Sequence, residues 1–180
     1  MKVNKFKIEG LIEFIPNTYK DSRGEFTETY NQQLMSSLGL TELFVQDNQS
    51  ISHQGVFRGI HLQSGWSAQG KLVRVVSGEV FDVAVDIRKG SPTFGQWVGE
   101  YLSADNKRQL WIPEGFAHGF YVISDEAEFV YKCTNYYNPE SEVSILWSDS
   151  DISIPWPIRN GPFLSLKDEN GVKLSSVKGL

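Results

Sequence analysis

Short runs of alternating residues, separated by turn signals, follow one another along most of this 180-residue chain. In the run 80–87, apolar odd positions alternate with even positions that include Asp82 and Asp86, the period-two pattern of a strand with one wetter face. Turn signals such as Ser77-Gly78 interrupt these runs, and so many short strands predict an all-β sandwich, jelly roll or barrel. The other predicted strands are Phe26 to Tyr30, Val45 to His53, Lys71 to Val76, Trp97 to Leu102, Gln109 to Ile112, Phe116 to Ile123, Ala127 to Thr134 and Val143 to Trp147.

One short helix is predicted among these strands. It runs from Asn31 to Leu38, and Gly39 provides its C-terminal stop. Hydrophobic residues make up 40% of the chain and aromatic residues 13%, which suffices for a substantial core and argues against disorder. No internal repeat, low-complexity tract or linker divides the sequence, so we expect a single domain over residues 1–180.

The charge balance and the cysteine count limit the possible partners and the compartment. The 17 Lys and Arg against 22 Asp and Glu give a net charge of −5, which argues against nucleic acid as a partner and requires local cations to hold any phosphate group. The single cysteine, Cys133, has no partner for an internal disulfide and fits a reducing compartment. Residues 1–7 lack the apolar core of a signal peptide, and no apolar run reaches membrane length, so we expect a soluble cytoplasmic protein with no membrane partner.

The segment 55–63 concentrates side chains that carry chemistry. Arg58, Gly59 and His61 place a guanidinium, a flexible glycine and an imidazole close together in a predicted strand, and Lys71 adds an ammonium from the next segment. An anion-binding fork, a titratable ring and a second cation indicate a site that handles a charged substrate by proton transfer. The alternative is a half-buried strand with ordinary surface charges.

Strand parity identifies two more candidate positions. In the run 127–134, Tyr131 shares a face with apolar residues and is predicted to point inward, either as a core tyrosine with a satisfied hydroxyl or as a buried proton donor. In the run 45–53 one face is entirely polar, which indicates either the lining of a wet pocket or, as the pattern alone favours, a solvent-exposed face. The residues of this polar face are Gln46, Asn48, Ser50 and Ser52.

Metal sites and several common enzyme classes are not supported. The imidazoles of His53, His61 and His118 are candidate metal ligands, but Gln63 leaves no His-x-His pair to anchor an ion, so we predict no metal. The sequence has no Gly-x-Ser-x-Gly elbow, and Cys133 lies within a predicted strand, which argues against a hydrolase nucleophile. Gly-x-Gly-x-x-Gly and P-loop patterns are also absent, so the common dinucleotide and nucleoside triphosphate folds are excluded.

Several separated motifs occur together in order along the chain. They are Asp21-Ser22-Arg23-Gly24-Glu25-Phe26 with Glu28, Gln46-Asp47-Asn48, Phe57-Arg58-Gly59-Ile60-His61-Leu62-Gln63, Gln69-Gly70-Lys71-Leu72-Val73, Asp86-Ile87-Arg88-Lys89-Gly90-Ser91-Pro92-Thr93-Phe94-Gly95, Trp111-Ile112-Pro113-Glu114-Gly115-Phe116-Ala117-His118-Gly119-Phe120, Tyr131-Lys132-Cys133-Thr134 with Tyr137, Ile154-Pro155-Trp156-Pro157 and Leu164-Ser165-Leu166-Lys167-Asp168. With these motifs the chain resembles the dTDP-4-dehydrorhamnose 3,5-epimerases, a cupin-fold family of nucleotide-sugar enzymes. The resemblance extends from about residue 10 to residue 168.

The resemblance implies a cupin-type jelly-roll β-barrel and a set of catalytic residues. His61 matches the general base, and Asp168 matches the carboxylate that orients it, since a carboxylate beside an imidazole stabilises its charged form and fixes its tautomer. Tyr131 matches the acid on the opposite face of the sugar. Lys71 matches the cation beside the C4 oxygen, where negative charge develops in an enolate.

The resemblance also implies a set of substrate-binding residues. Arg23 and Arg58 match residues that hold the diphosphate, a bidentate role that suits arginine. The remaining positions line the pocket around the nucleotide and the sugar, and they are Glu28, Gln46, Asn48, His118 and Tyr137.

The implied activity is inversion of C3 and C5 in dTDP-4-dehydro-6-deoxy-D-glucose. The product would be dTDP-4-dehydro-L-rhamnose, which feeds cell-surface polysaccharide, and neither a metal nor an organic cofactor is required. The resemblance further suggests a homodimer built partly by strand exchange. Two alternatives remain open, a 3-only or 5-only epimerase of a related dTDP-4-keto-deoxysugar and a non-catalytic sugar-binding cupin.

Overall fold

The structure, a computed structural model, describes residues 1–177 and contains thirteen β-strands in that range; residues 178–180, part of the expected single domain, lie outside the described residues. The strands are β1 (Lys2–Lys5), β2 (Ile12–Ile15), β3 (Thr18–Asp21), β4 (Gly24–Thr27), β5 (Gln46–His53), β6 (Phe57–Gln63), β7 (Lys71–Ser77), β8 (Glu79–Asp86), β9 (Trp97–Ser103), β10 (Gln109–Ile112), β11 (Phe116–Val122), β12 (Glu126–Cys133) and β13 (Glu142–Ser144). Two short α-helices accompany them, α1 (Gln32–Ser37) and α2 (Leu166–Glu169). The expected all-β class with few short helices is therefore confirmed.

The strands form two antiparallel sheets and one separate hairpin. The six-stranded sheet has the order β1-β2-β10-β7-β12-β5, and the five-stranded sheet has the order β13-β6-β11-β8-β9. Strands β3 and β4 pair only with each other. Because consecutive strands such as β10, β11 and β12 alternate between the two sheets, the chain winds as a jelly roll.

Most predicted elements agree with the structure. Strand β10 has the predicted bounds, and α1 lies within the predicted helix, with the side chain of Asn31 as its N-cap. Two strands differ from their predicted ends by more than one residue: β4 closes a hairpin before Tyr30, and β13 stops at Ser144. Both deviations follow from pairing, since β4 pairs only with β3 and β13 pairs with β6 over three residues.

Three apolar layers surround the two sheets. The first fills the space between the sheets and includes Val73 of β7 and Phe120 of β11. The second covers the outer face of the five-stranded sheet, where the C-terminal segment supplies Trp156 and Leu174. The third places α1 against the six-stranded sheet, with Met35 at its centre.

The prediction that one face of β8 is wetter is wrong. Both faces of this strand are buried, because the C-terminal segment covers one face and the other points between the sheets. Asp82 and Asp86 are each 0% exposed and are held by partners inside the protein. Period-two alternation identifies which residues share a face, whereas the cover over each face comes from other elements of the folded chain.

The C-terminal segment is fastened to the five-stranded sheet at several points. Phe163 bridges Val56, and Val172 bridges Ile145, both in parallel orientation. The backbone N–H of Leu174 donates to the buried carboxylate of Asp149 over 2.6 Å. Helix α2 lies between these anchors and is thereby held against β6. Within residues 1–177 no helix combines the length and the apolar character that crossing a membrane requires.

Candidate active site

A cavity of about 820 Å³ opens between the two sheets. Strands of both sheets and the C-terminal segment contribute to its wall. The chemistry-bearing side chains on this wall are Arg58, His61, Lys71, His118, Tyr131 and Asp168. Six of the eleven residues predicted to form the site therefore meet in one cavity, and Asn48 and Tyr137 also lie on its wall.

Gly59 sets the position of His61 by allowing two strands to approach closely. A Cβ at Gly59 would come within 2.4 Å of the Cα of Gly119 on β11, and its φ of +132° is strained for any other residue. This close approach places His61 directly opposite His118 in the register of β6 and β11. Both imidazoles therefore point from the five-stranded sheet into the cavity.

His61 is paired with the carboxylate of Asp168. Its Nε2 hydrogen-bonds to Asp168 Oδ1, although the two residues are 107 positions apart. Ser165 donates to Asp168 Oδ2 over 2.9 Å, and Ser144 donates to Oδ1 over 3.4 Å. Burial opposes the charged carboxylate, but the hydrogen bond and charge of His61, together with Ser165, hold the pKa of Asp168 below its ordinary value. The pair is thus arranged to keep the imidazole oriented and its cation stabilised.

Lys71 and Tyr131 face the two histidines from the six-stranded sheet. Lys71 begins β7, and burial lowers the pKa of its ammonium. Burial also raises the pKa of the Tyr131 phenol, which therefore stays protonated at neutral pH. Since His61 and Tyr131 belong to different sheets, they approach the cavity from opposite walls.

His118 forms a second imidazole–carboxylate pair. Its Nε2 hydrogen-bonds to the buried Asp82 Oδ2 over 2.8 Å. The ring stacks on Phe129 with centroids 6.0 Å apart and an interplanar angle of 23°. The structure therefore places His118 in the cavity wall with its orientation set by β8 and β12.

The polar face of β5 lines the interior instead of facing solvent. Asn48 and Ser50 border the cavity, and Gln46 borders its extension of about 190 Å³. Ser52 is buried and accepts a hydrogen bond from Arg58 Nε over 3.0 Å. The alternative of a solvent-exposed face, which the pattern alone favoured, is wrong.

Two lining residues were missed by the sequence analysis. Glu142 accepts from Tyr137 Oη over 2.9 Å and pairs with Lys167 over 2.6 Å. Burial opposes the charged form of Glu142, but the bonds from Lys167 and Tyr137 hold its pKa below the ordinary value. Lys167 precedes Asp168 in the motif Leu164-Ser165-Leu166-Lys167-Asp168, so its place in the site could have been predicted from the sequence. Glu142 lies in none of the motifs.

Arg23 and Glu28 do not reach the cavity of their own chain. Arg23 is exposed on the β3–β4 hairpin and pairs with Asp21 over 2.6 Å. Glu28 is exposed as well and accepts from Asn31 over 3.3 Å. The hairpin pairs with no other strand within residues 1–177, so these two predicted ligands are separated from the other nine.

The three histidines do not converge as metal ligands. His53 lies on the exposed outer side of β5, where its ring packs edge-on against Phe163. His61 and His118 instead point into the cavity. Among residues 1–177 no group of three His, Cys, Asp or Glu side chains is arranged to hold a metal ion.

Comparisons with known proteins agree with this geometry. The family model described as dTDP-4-dehydrorhamnose 3,5-epimerase matches residues 5–176. The chain is 60% identical to the dTDP-4-dehydrorhamnose 3,5-epimerase of Shigella flexneri over 96% of both chains. It is also similar to the crystal structure of a dTDP-6-deoxy-D-glucose-3,5-epimerase from Legionella pneumophila in complex with dTDP-4-keto-L-rhamnose. That match has a TM-score of 0.94, 53% identity, and coverage of 97% of this chain and 93% of the other.

A relative with narrower activity has the same architecture. A 3′-monoepimerase from Streptomyces bikiniensis, solved in complex with dTDP-quinovose, is 33% identical with a TM-score of 0.89, and the match covers 95% of this chain and 87% of the other. These likenesses confirm the expected cupin-type jelly roll. On the family model and the identities together, the chain belongs to the dTDP-4-dehydrorhamnose 3,5-epimerase family.

Proposed function

We propose that this chain is an isomerase that inverts C3 and C5 of dTDP-4-dehydro-6-deoxy-D-glucose to give dTDP-4-dehydro-L-rhamnose. The observation that carries the proposal is the placement of His61 and Tyr131 on opposite walls of one cavity, with Lys71 beside them. Inversion at carbon requires a base on one face of the sugar and an acid on the other. This arrangement provides both.

His61 is the proposed base. The 4-keto group makes the protons at C3 and C5 acidic, because their removal gives an enolate. The Nε2 of His61 faces Asp168, so Nδ1 is the nitrogen left to take the proton. Asp168 then stabilises the imidazolium that forms, as carboxylates paired with a catalytic histidine do.

Lys71 and Tyr131 complete the reaction at each carbon. The C4 oxygen gains negative charge in the enolate, and the Lys71 ammonium stabilises that charge electrostatically. Tyr131 donates its phenolic proton to the carbon from the face opposite His61. After each inversion His61 carries one extra proton and Tyr131 lacks one, and exchange with water restores both groups before the second carbon reacts.

The polar wall of the cavity supplies the proposed nucleotide and sugar contacts. Arg58, held by Ser52, is placed to bind the diphosphate as a fork. Gln46 and Asn48 offer amide groups beside it, and Gln46 Nε2 donates to Asn48 Oδ1 over 3.0 Å. Tyr137 is exposed at the rim, where its ring is available to a planar base.

We also propose a homodimer in which each hairpin completes the site of the other copy. Arg23 and Glu28 belong to the predicted ligands, yet both lie outside the cavity of their own chain. The β3–β4 hairpin exposes Tyr19 and Phe26 at 63% and 67%, which leaves apolar surface suited to a partner. Sedimentation should give a dimer, and Arg23→Ala should raise KM while leaving the dimer intact.

A cytoplasmic location is proposed on the state of the only cysteine. Cys133 is buried and unpaired, and burial raises the pKa of its thiol. Such a thiol is compatible with a reducing compartment. Cell fractionation tests this location, and recovery of the protein outside the cytoplasm would contradict it.

The deciding experiment follows deuterium from solvent into the sugar. The protein is incubated with dTDP-4-dehydro-6-deoxy-D-glucose in deuterated water, and label at C3 and C5 is followed by NMR. We expect label and inverted configuration at both carbons, together with loss of label in His61→Asn. His53→Asn is the matched control, because His53 lies on the exterior and should leave the labelling rate unchanged.

The other outcomes identify the alternatives. Label at C3 or C5 alone would identify a mono-epimerase, the activity of the Streptomyces bikiniensis relative at the 3′ position. Absence of label at both carbons, with the protein folded and the nucleotide bound, would indicate a non-catalytic sugar-binding cupin and would refute the proposed activity.

A further inference from the structure

Asp82 is a buried carboxylate behind the cavity wall that the proposed reaction leaves without a role. It lies on β8, where it pairs in register with Phe120, while His118 pairs with Ala84. Asp82 and His118 are thus diagonal neighbours on the inner face of the five-stranded sheet. Asp82 is 0% exposed and does not border the cavity itself, whereas His118 does.

The ring of His118 is held on two sides, which leaves one nitrogen for a ligand. Its Nε2 lies 2.8 Å from Asp82 Oδ2, and its face stacks on Phe129. Because Nε2 is engaged behind the wall, Nδ1 is the only ring nitrogen available to the cavity. An imidazole that donates from Nε2 in its neutral form accepts through Nδ1.

The stability of the fold does not explain why residue 82 is an aspartate. Its Oδ1 is fully buried and has no hydrogen-bond partner among residues 1–177. A buried carboxylate with an unpaired oxygen destabilises a fold, and an apolar residue of similar volume is frequently better tolerated there. The contrast with Asp86 on the same strand is direct, because Arg88, Ser91 and Thr93 bind both of its oxygens.

We propose that Asp82 is a positioning residue that fixes His118 as the Nε2–H tautomer, so that Nδ1 accepts a hydrogen bond from a hydroxyl group of the sugar. The identity of the ligand rests on the proposed function, whereas the tautomer does not. His118 thereby selects a sugar with a hydroxyl at this point of the cavity, since an acceptor left without a donor is costly. Asp82 acts only through His118.

The first test measures the tautomer directly and needs no activity. The ¹⁵N and ¹H signals of uniformly ¹⁵N-labelled wild-type protein at neutral pH are assigned to His118 by their loss in His118→Ala. We expect a protonated Nε2 and an unprotonated Nδ1. The Nδ1–H tautomer or an imidazolium would overturn the proposal, and this result would stand even if the chain showed no epimerase activity.

The second test removes the acceptor. Asp82→Ala should abolish the fixed tautomer and lower kcat/KM by about 10- to 100-fold, the range known for the outer partners of metal-bound histidines. In the His118→Ala background the same change should have an effect of about 2-fold or less, because it acts through a ring that is no longer there. Additive losses in the double variant would overturn the proposal.

Asp86→Ala is the matched control on the same strand. It removes an equally buried carboxylate whose partners lie away from the cavity. We expect a lower Tm with the His118 signals and kcat/KM close to those of wild type. An Asp82→Ala variant that folds and keeps both the wild-type tautomer and the wild-type kcat/KM would refute the role of Asp82, and the wild-type spectrum remains decisive if that variant does not fold.

Discussion

Ser165 and Asp168 are joined by two hydrogen bonds across the first turn of α2. Ser165 Oγ donates to Asp168 Oδ2 over 2.9 Å, and the backbone N–H of Asp168 donates to the same Oγ over 3.2 Å. The serine thus caps the helix and fixes the carboxylate that faces His61. A four-residue helix has little stability of its own, so this cap and the flanking anchors determine where the carboxylate lies.

Ser165→Ala should therefore impair catalysis more than folding. Loss of an N-cap costs about 1 kcal/mol of helix stability, and the freed carboxylate no longer holds the His61 ring in one orientation. We expect kcat to fall by about 10-fold, the lower end of the range for outer partners of metal-bound histidines, with a small change in Tm. Ser165→Thr keeps the hydroxyl and should retain most of the activity. Equal losses in the two variants would contradict this role.

Asp168 should also affect the pH dependence of stability. Its folded-state pKa lies below the ordinary value of 3.8, so the ionised form stabilises the native state. That contribution is fully present above the unfolded-state pKa and is lost as the pH falls through the folded-state pKa. The difference in unfolding free energy between wild type and Asp168→Asn should therefore shrink as the pH falls below about 5.

Urea titrations at a series of pH values measure this difference. Wild type should approach the variant as the pH is lowered, and the m-values should stay equal. A difference that does not change with pH would show that the Asp168 side chain stabilises the fold through packing and not through its charge.

Lys71 should produce the alkaline limb of the kcat/KM profile. Burial lowers the pKa of this ammonium from 10.5, and the proposed mechanism needs its charged form. Raising the pH removes that charge, so activity should decline at a pH below 10.5. The pKa of Tyr131 is raised from 10.0, so its phenol keeps its proton through most of this limb.

Lys71→Arg tests whether Lys71 is the group responsible for the alkaline limb. Arginine keeps its charge at alkaline pH, so the limb should disappear even though the altered geometry lowers the rate. Lys89→Arg, at an exposed position outside the cavity, should keep the wild-type profile. If the limb persists unchanged in Lys71→Arg, another group is responsible for it.

Local patterns were sufficient for most strands and for the helix α1. Strand β10 was predicted with its bounds, and α1 was found from Asn31 and Gly39. The inward orientation of Tyr131 followed from parity along β12, since side chains alternate regardless of tertiary contacts.

Long-range relationships were beyond these patterns. Periodicity could not reveal that the face of β8 that carries Asp82 points between the two sheets, where the six-stranded sheet covers it, and so that face was predicted to be wetter. The pairing of His61 with Asp168 across 107 positions was expected only through family resemblance. Glu142 was missed because its role depends on Lys167, a neighbour that only the folded chain brings close.

Tyr131→Phe should separate proton removal from inversion. The variant keeps His61, Asp168 and Lys71, so the proton at C3 or C5 can still be removed and the enolate still forms. Without the phenol, the carbon regains a proton mainly from His61, on the face from which it was removed. We therefore expect deuterium in recovered substrate of unchanged configuration, with product formation reduced by about 10²- to 10⁴-fold, the usual contribution of a positioned acid.

Tyr101→Phe is the matched control for this variant. Tyr101 lies on β9, is 46% exposed and packs against Phe81 on the outer side of the barrel, so removal of its hydroxyl should change neither labelling nor inversion. NMR of the sugar protons in deuterated water reports label and configuration in the same sample. Inversion by Tyr131→Phe at the wild-type rate would mean that another group or a water molecule delivers the second proton, and the opposed arrangement of His61 and Tyr131 would then not be the basis of the stereochemistry.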